Sequence, residues 1–495
     1  MLSPNFLNLF LNGEPVARES FKLQSSIFKR HCQTVPIAPT IILTKPIPMS
    51  FAGNLTPTGN INRINSVDII RGVSLCGILL MNITGFGLPH AYLDPTVSGG
   101  ATGPNLAAWW TTSMFFEGTM RGMFSMLFGA GIILFTGRSS ESINGVSVTD
   151  AYFRRILWLF LFGIIHCYIF LWHGEILYSY ALVGMFAFTF RHWKPRHLVV
   201  GAIVLLCCAT AWNVKDYFHE KNAFNLAAAA QQKKEQGNAL TKKEESAIAD
   251  WQSIFHEKKP TAEKLNEEIE AYHQDYFSIV AYKGPLNQFM ETTFIYRVAF
   301  FDVFGMMLLG MAFLKNGILK AEKSNRYYVI LGLVGYTVGL SVNYWETSYV
   351  MAQQFQIIAH DLTDLTYNVG RVFTTLGHVA VIMLFIRSGI LMFLQRSLAA
   401  VGQMAFTNYI MQTLICNTIF LGFGFSLYGM LERHELYYIV ASVWIFQLIV
   451  SSIWLQYFRF GPLEWMWRSL TYWQKQPFRK TDVQTTVQMA GGGVA

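Results

Sequence analysis

RRILWLFLFGIIHCYIFLWHGEILY, residues 154–178, places one histidine inside an apolar run and ends that run on a second histidine and a carboxylate. The apolar part, 156–172, is long enough to cross a bilayer, which takes about 17 to 25 residues. An ionisable group at membrane depth is costly and is usually retained for a function. The stretch therefore predicts a membrane helix that carries His166 as a functional residue, with His173 and Glu175 just beyond its end.

The composition of the whole chain is typical of a polytopic membrane protein. Of its 495 residues, 52% are hydrophobic and only 14% are charged, which lies outside the usual range of soluble globular proteins. The net charge of +8 comes from short basic clusters between apolar runs, and no nucleic-acid-binding motif occurs. The six cysteines have neither zinc-site nor disulfide spacing. We therefore expect the lipid bilayer as the main partner, with no nucleic acid, no metal and no prosthetic group.

Ten apolar runs are candidates for membrane spans, and they predict an all-α bundle of about ten transmembrane helices in two groups of five. The runs lie near residues 67–88, 109–136, 156–172, 176–190, 198–213, 293–314, 327–345, 368–387, 402–425 and 437–457. Basic residues concentrate in alternate connecting segments, which predicts that both termini are cytoplasmic.

The domain organisation follows from where these runs begin and end. The predicted segments are a disordered tail at 1–60, a five-helix region at 61–213, a hydrophilic helical insertion at 214–292, a second five-helix region at 293–478 and a disordered tail at 479–495. Within the insertion, Leu265, Ile269 and Tyr272 have the spacing of an amphipathic helix over 262–276.

Arginines and one aspartate near the start of the first helix suggest an anion site. Asp68 and Arg71 are three residues apart and share one helix face. They form either an interfacial ion pair or, with Arg63, Arg154 and Arg155, a site for the phosphates of a nucleotide-like donor. The positions alone do not separate these two interpretations.

The remaining ionisable residues in apolar runs are candidates for catalysis. Glu117 and Arg121 are four residues apart and would form a buried pair, either structural or catalytic. His166 suits a general base if a carboxylate such as Glu175 orients it, although a buried structural histidine is equally compatible. In the second half, the polar residues in apolar runs are Asp302, Asn343, Arg371 and His378, and with His166 and Glu117 we expect them to line a polar cavity.

Four ordered motifs resemble the YeiB-like family of bacterial inner-membrane proteins, including its C-terminal domain of unknown function. They are RINSVDIIRGVSLCGILLMNI at 63–83, MFSMLFG at 123–129, VGQMAFTNY at 401–409 and FGPLEWMWRSLTY at 460–472. The arginine pair at 154–155 and the segment 166–180 also match. The resemblance covers about 63–213 and 293–473, so the tails and the insertion depart from it, as does Glu175, where the family is expected to have aspartate. It implies a bacterial inner-membrane location.

The resemblance also implies an activity, because YeiB-like proteins are distantly similar to transmembrane acyltransferases such as heparan glucosaminide N-acetyltransferase. By analogy, cytosolic acyl-CoA would be the donor, with its phosphates near Arg63, Arg71 and Arg154. His166 or His173 would deprotonate a sugar-like acceptor at the outer face, with His90 as a rival base. Arg121 or Arg371 would stabilise the developing oxyanion.

Two other functions remain open at this stage. A transporter or permease for a small polar solute would use the same charges as a midplane binding site, and a non-catalytic envelope protein would use them only for packing. The sequence does not identify the donor, the acceptor or the acyl chain length, and it is compatible with a homo-oligomer.

Overall fold

The structure, a computed structural model, describes residues 65–90, 92, 94–137 and 147–480. Within these ranges the chain is helical and forms no strand, with a single isolated bridge between Phe458 and Arg479. The predicted all-α class is confirmed. The N-terminal tail, Arg63 and most of the C-terminal tail lie outside the described residues.

The helices follow the apolar runs closely. The first part contains α1 (Asn65–Gly87), α2 (Gly103–Phe115), α3 (Thr119–Thr136), α4 (Val148–Tyr168) and α5 (Leu177–Ala187), followed by a short 3-10 turn at Phe188–Phe190. Then come α6 (Pro195–Glu235), α7 (Lys242–Lys258), α8 (Ala262–Tyr272), α9 (Tyr276–Phe289) and a π-helical segment at Met290–Ala299. The last part contains α10 (Phe300–Lys315), α11 (Asn325–Ala352), α12 (Ile357–Thr363), α13 (Tyr367–Ser388), α14 (Met392–Gln403), α15 (Ala405–Phe420), α16 (Leu436–Tyr457) and α17 (Pro462–Tyr472).

The number of membrane spans is lower than ten by length and composition. Among the described residues, six helical stretches are long and apolar enough to cross a membrane: α1, α2 with α3, α6, α11, α13 and α16. A seventh is formed if the bent pair Tyr276–Arg297 and Phe300–Lys315 is one span, although its halves meet at 60°. All ten predicted runs are helical, but α5 and α15 have only 11 and 16 residues, and the count of ten is not confirmed.

The hydrophilic insertion continues the bundle instead of forming a separate lobe. Helix α6 runs for 41 residues from Pro195 without a break, passing the boundary predicted at residue 213. The insertion helices then pack on the loops at one end of the bundle, where Lys259 pairs with Asp94 at 2.8 Å and the Tyr276 hydroxyl donates to the Ile169 carbonyl at 2.8 Å. We call this the insertion end.

The opposite end carries the basic residues Arg71, Arg155 and Arg468, and we call it the arginine end.

Between the two ends, glycines allow helices α3 and α10 to pack in close contact. A Cβ atom on Gly129 of α3 would lie 2.0 Å from the Met307 carbonyl oxygen, and one on Gly310 of α10 would lie 1.9 Å from that of Met126. Only glycine permits two backbones to approach so closely, and this contact fixes α3 against α10.

Candidate functional site

The helical stretch that begins at Gly103 is broken at Glu117 and Gly118, between α2 and α3. Gly118 adopts φ 64°, a left-handed conformation that favours glycine. A Cβ atom there would lie 2.2 Å from the Tyr367 hydroxyl and 2.4 Å from Cδ of Arg371. The break therefore brings α13 directly against the end of α2. It requires glycine for two reasons, the left-handed backbone conformation and the lack of space for a Cβ atom.

His378 and Asn343 satisfy the backbone carbonyls that the break leaves without helical partners. The Asn343 amide donates to the Met114 carbonyl at 2.8 Å, and Nε2 of His378 lies 2.7 Å from the Phe115 carbonyl. The other ring nitrogen of His378 lies 2.8 Å from the Tyr336 hydroxyl. With both nitrogens engaged, His378 holds the broken helix against α11 and α13.

A buried ionic cluster lies just below the break. Asp302 of α10 pairs with Arg121 at 2.6 Å and also with Arg371, which is 1% exposed. Glu117 instead accepts hydrogen bonds from Tyr92 at 3.4 Å and Tyr367 at 3.3 Å. The sequence predicted a Glu117 and Arg121 pair on one continuous helix. The helix is broken between them, and the two groups still interact electrostatically, while the ion pair of Arg121 is with Asp302.

His166 and Glu175 meet where α4 turns back into α5. Nδ1 of the fully buried His166 lies 3.5 Å from Oε1 of Glu175 and has no hydrogen-bond partner among the described residues. Glu175 also accepts the backbone N–H of Leu177, and that of Tyr178 at 2.7 Å, at the start of α5. These bonds hold the carboxylate towards the imidazole, so the geometry that the sequence left open is present.

The far side of His166 is closed by α15. Its Nε2 lies 2.8 Å from the Thr413 hydroxyl, and the Tyr409 ring packs edge-on with a centroid distance of 4.9 Å. The Tyr409 hydroxyl donates a long hydrogen bond, 3.4 Å, to the Gly174 carbonyl and also lies close to the Trp172 indole and the Ile176 backbone. The Tyr409 side chain therefore separates His166 from the space beyond.

That space is a cavity of about 670 Å³ that extends into the bundle from the arginine end. Its polar mouth is lined by Asp68, Arg71, Arg155, Glu464 and Arg468, and its body by apolar residues of α3 and α4. Its inner end is lined by Leu177, Tyr180 and Tyr409. The cavity thus ends one side chain short of His166.

The mouth brings together residues that the sequence predicted and others that it missed. Arg71 pairs with Asp68 at 3.0 Å, and the Arg155 guanidinium lies 3.6 Å from the ring centroid of Trp467 in α17. Arg154 packs on Trp473 instead and does not line the cavity. Trp467 and Arg468 were not selected from the sequence, although they lie within a family motif that was quoted.

Tyr180 connects the cavity with the ionic cluster. Its hydroxyl lies 2.8 Å from that of Ser125 and donates to the Arg121 carbonyl at 3.2 Å. It is close enough to Arg121, Asp302 and Glu175 to interact with each electrostatically. The ionic cluster of Arg121 and Asp302 and the His166–Glu175 pair are therefore neighbours on either side of the Tyr180 side chain.

His173 lies on the loop between α4 and α5, next to Trp172 at a ring distance of 5.0 Å. Burial, together with the nearby positive charge of Lys283, lowers the pKa of His173 to about 3. A base with so low a pKa is a weak proton acceptor near neutral pH. This favours His166 over His173 as the general base.

The insertion contributes three buried polar residues that the sequence analysis overlooked. Lys283, Asn287 and Glu291 are spaced by four residues, and they are 3%, 1% and 7% exposed. The Asn287 amide donates to the Cys167 carbonyl at 3.1 Å, directly after His166. Their i, i+4, i+8 spacing places them on one helix face and could have indicated a buried polar face. They were missed because they lie within the segment that the sequence predicted to be a hydrophilic insertion.

The described residues contain no group of three or more histidine, cysteine or carboxylate side chains that could hold a metal ion. The functional groups gathered at this site are imidazole, carboxylate, guanidinium and phenol groups. Such groups can bind anions, move protons and stabilise a developing negative charge.

Comparisons with known proteins place the chain among bacterial proteins without an assigned activity. Residues 313–474 match the family described as Protein of unknown function (DUF418). The uncharacterized protein YxaH of Bacillus subtilis (strain 168) is 30% identical over 436 residues, 86% of this chain and 98% of that protein. The uncharacterized protein YeiB of Escherichia coli (strain K12) is 29% identical over 413 residues, 82% of this chain and 95% of that protein. No solved structure matches the chain.

Proposed function

The chain belongs to the YeiB-like family, and we propose that it is a transmembrane acyltransferase that moves an acyl group from acyl-CoA to an acceptor. The observation that supports this proposal is the cavity. Three arginines line its mouth, and its inner end is lined by Tyr409, which packs on His166. A donor with a phosphate-bearing head and a long arm fits such a shape.

The arginine end is suited to the head of the donor. Arg71, Arg155 and Arg468 line the mouth, and guanidinium groups match phosphate oxygens in geometry and charge. The buried Trp467 indole packs on the Arg155 guanidinium and holds it at the mouth. Arg71 and Arg155 therefore keep the donor-binding role expected from the sequence, and Arg468 joins them.

His166 is the proposed general base. With Nδ1–H directed at Glu175, the basic nitrogen is Nε2, which now contacts the Thr413 hydroxyl. The acceptor hydroxyl gives its proton to Nε2 while its oxygen attacks the thioester carbonyl. The carbon–sulfur bond then breaks, and CoA leaves as a thiol that takes the proton from His166.

The tyrosines at the inner end supply the remaining chemistry. Tyr409 lines the cavity, and the hydrogen bond that its hydroxyl donates to the Gly174 carbonyl is long, so this proton can instead be donated to the thioester oxygen as negative charge develops. Arg121 and Arg371, predicted for this role, are held by Asp302. We assign them to the electrostatics of the site, acting through Tyr180 and the Arg121 carbonyl.

The same proposal gives an orientation. Acyl-CoA is cytosolic, so the arginine end faces the cytoplasm of a bacterial inner membrane, in agreement with the preference of basic residues for that side. Both termini are then cytoplasmic. The acceptor arrives at the insertion end, on the other side of His166.

The test uses the full-length protein in proteoliposomes with radiolabelled acyl-CoA of several chain lengths. Binding of the donor and transfer to added sugars or amino sugars are measured separately. His166→Asn is expected to lower transfer by about 10²-fold or more while donor binding persists, and Arg155→Ala is expected to weaken donor binding.

His197→Gln is the matched control, because His197 is exposed at the arginine end and outside the cavity. It should leave both quantities unchanged. If no acyl-CoA of any length binds to the wild-type protein, the acyltransferase proposal fails.

A transporter is the second candidate, and one observation favours it. The break at Glu117 and Gly118 lies next to the buried cluster of Arg121, Asp302 and Arg371, and broken helices with buried charges often form the binding sites of secondary transporters. Uptake of labelled sugars or amino acids by proteoliposomes, abolished by His166→Ala and without acyl transfer, would select this function instead.

A further inference from the structure

We infer that the cavity selects its donor by acyl chain length, that it accepts chains of up to roughly fifteen carbons, and that Gly131 helps to set the limit. This inference rests on the proposed function and names the donor class of the same site. It is carried by the size of the cavity, the residues of α3 that line it and the absence of a side chain at one position.

The cavity is larger than an acetyl donor requires. The arm of CoA with an acetyl group has about twenty non-hydrogen atoms, which need roughly 400 Å³ if each takes somewhat less than the roughly 30 Å³ share of a water molecule in the liquid. The cavity holds about 670 Å³. The difference of roughly 270 Å³ is the volume of about thirteen methylene groups at the same roughly 20 Å³ for each.

The extra space lies along an apolar face. Helix α3 presents Phe124, Phe128 and Phe135 to the cavity, together with Leu127 and Leu134. These positions recur every three or four residues, which places them on one side of the helix. The opposite wall includes Ile156 and Leu159 of α4. Such a lining provides no hydrogen-bond partner for a polar group. Each methylene group of an acyl chain buried there should improve the affinity for the donor about fourfold.

Gly131 lies in the middle of this face and leaves a gap in it. It lines the cavity, and a Cβ atom added to it would meet no atom within 4 Å. By contrast, a Cβ atom on Gly129, two residues earlier, would collide with the backbone of α10. Gly131 is therefore not required for helix packing, and its missing side chain adds room to the cavity.

The experiment measures binding and transfer for acetyl-, hexanoyl-, decanoyl- and hexadecanoyl-CoA with the full-length protein in proteoliposomes, corrected for partition into protein-free vesicles. For the wild type we expect decanoyl-CoA to bind at least about a hundredfold more tightly than acetyl-CoA. Gly131→Phe should reduce that preference at least about tenfold.

Gly284→Phe is the matched control. A Cβ atom on Gly284 also meets nothing within 4 Å, but this glycine belongs to α9 and does not line the cavity. Its chain-length profile should equal that of the wild type. If the wild type binds acetyl- and decanoyl-CoA equally, or if Gly131→Phe leaves the profile unchanged, the inference is overturned while the acyltransferase proposal stands. Failure of every acyl-CoA to bind would overturn both.

Discussion

His166 and Glu175 lie nine residues apart in the sequence, yet the imidazole Nδ1 is 3.5 Å from the carboxylate Oε1. The turn between α4 and α5 produces this contact. The same carboxylate accepts two backbone N–H groups at the start of α5. Glu175 therefore has two functions, orienting the base and beginning a helix, and a suitable variant can separate them.

Glu175→Gln should keep most of the fold and lose most of the proposed activity. Its amide oxygen can still accept a backbone N–H, so the cost in stability should stay near 1 kcal/mol, whereas the negative charge beside His166 is gone. We expect transfer to fall by about 10²-fold, and Glu175→Asp to restore a large part of it. Equal activity of Glu175→Gln and wild type would contradict the assigned role.

Asp302→Asn should destabilise the protein strongly. It removes the carboxylate that pairs with both Arg121 and Arg371, and removing one partner of a buried ion pair costs about 3 to 5 kcal/mol. The free energy of unfolding can be measured by denaturant titration in mixed micelles.

Asp216→Asn is the control for this loss, because Asp216 pairs with Arg297 in a pair whose side chains are 36% and 49% exposed. An exposed pair contributes at most about 1 kcal/mol. Similar losses for the two variants would show that the Asp302 cluster is not buried as described.

Gly129→Ala and Gly131→Ala should differ sharply, although the two glycines are two residues apart on α3. The new Cβ atom at position 129 would lie 2.0 Å from the Met307 carbonyl oxygen, while the one at position 131 meets nothing within 4 Å. We expect Gly129→Ala to cost about 1 to 3 kcal/mol or more, and Gly131→Ala to be neutral or slightly stabilising. Thermal unfolding of both variants in one detergent measures the difference.

The stability of the insertion end should fall in acid through His360 of α12. Burial lowers the pKa of His360 from 6.5 to about 4, with Lys258 and Lys259 adding to the effect and Asp94 opposing it. The folded state thus binds a proton less readily than the unfolded state. This contribution is complete above about pH 6.5 and is lost as the pH falls towards 4.

His360→Gln should therefore flatten the decrease in unfolding temperature between pH 6.5 and 4. His256→Gln, at an exposed histidine of the insertion, should retain the wild-type pH profile. The prediction fails if the two variants lose stability in parallel over this range.

The comparison of sequence and structure is most instructive at Glu117 and Arg121. Their spacing of four placed them on one helix face, which is correct only for an unbroken helix. Gly118, with φ 64°, ends that helix, and Asp302 is then in reach of Arg121. The sequence shows a glycine at position 118, but it does not distinguish a glycine within a helix from one that breaks it. That difference depends on tertiary neighbours such as Tyr367, whose hydroxyl lies 2.2 Å from where a Cβ atom of residue 118 would be.

The amino-acid sequence alone determined the membrane class, the all-α fold and the helical runs, because hydrophobicity and helix formation depend on residues within a few turns of each other. It also marked His166, Glu175, Arg71 and Arg155. Only the tertiary structure decided which of them share a cavity: Arg155 meets Trp467, 312 residues later, and His166 meets Thr413, 247 residues later. Such contacts depend on how whole helices pack, and no local pattern records that.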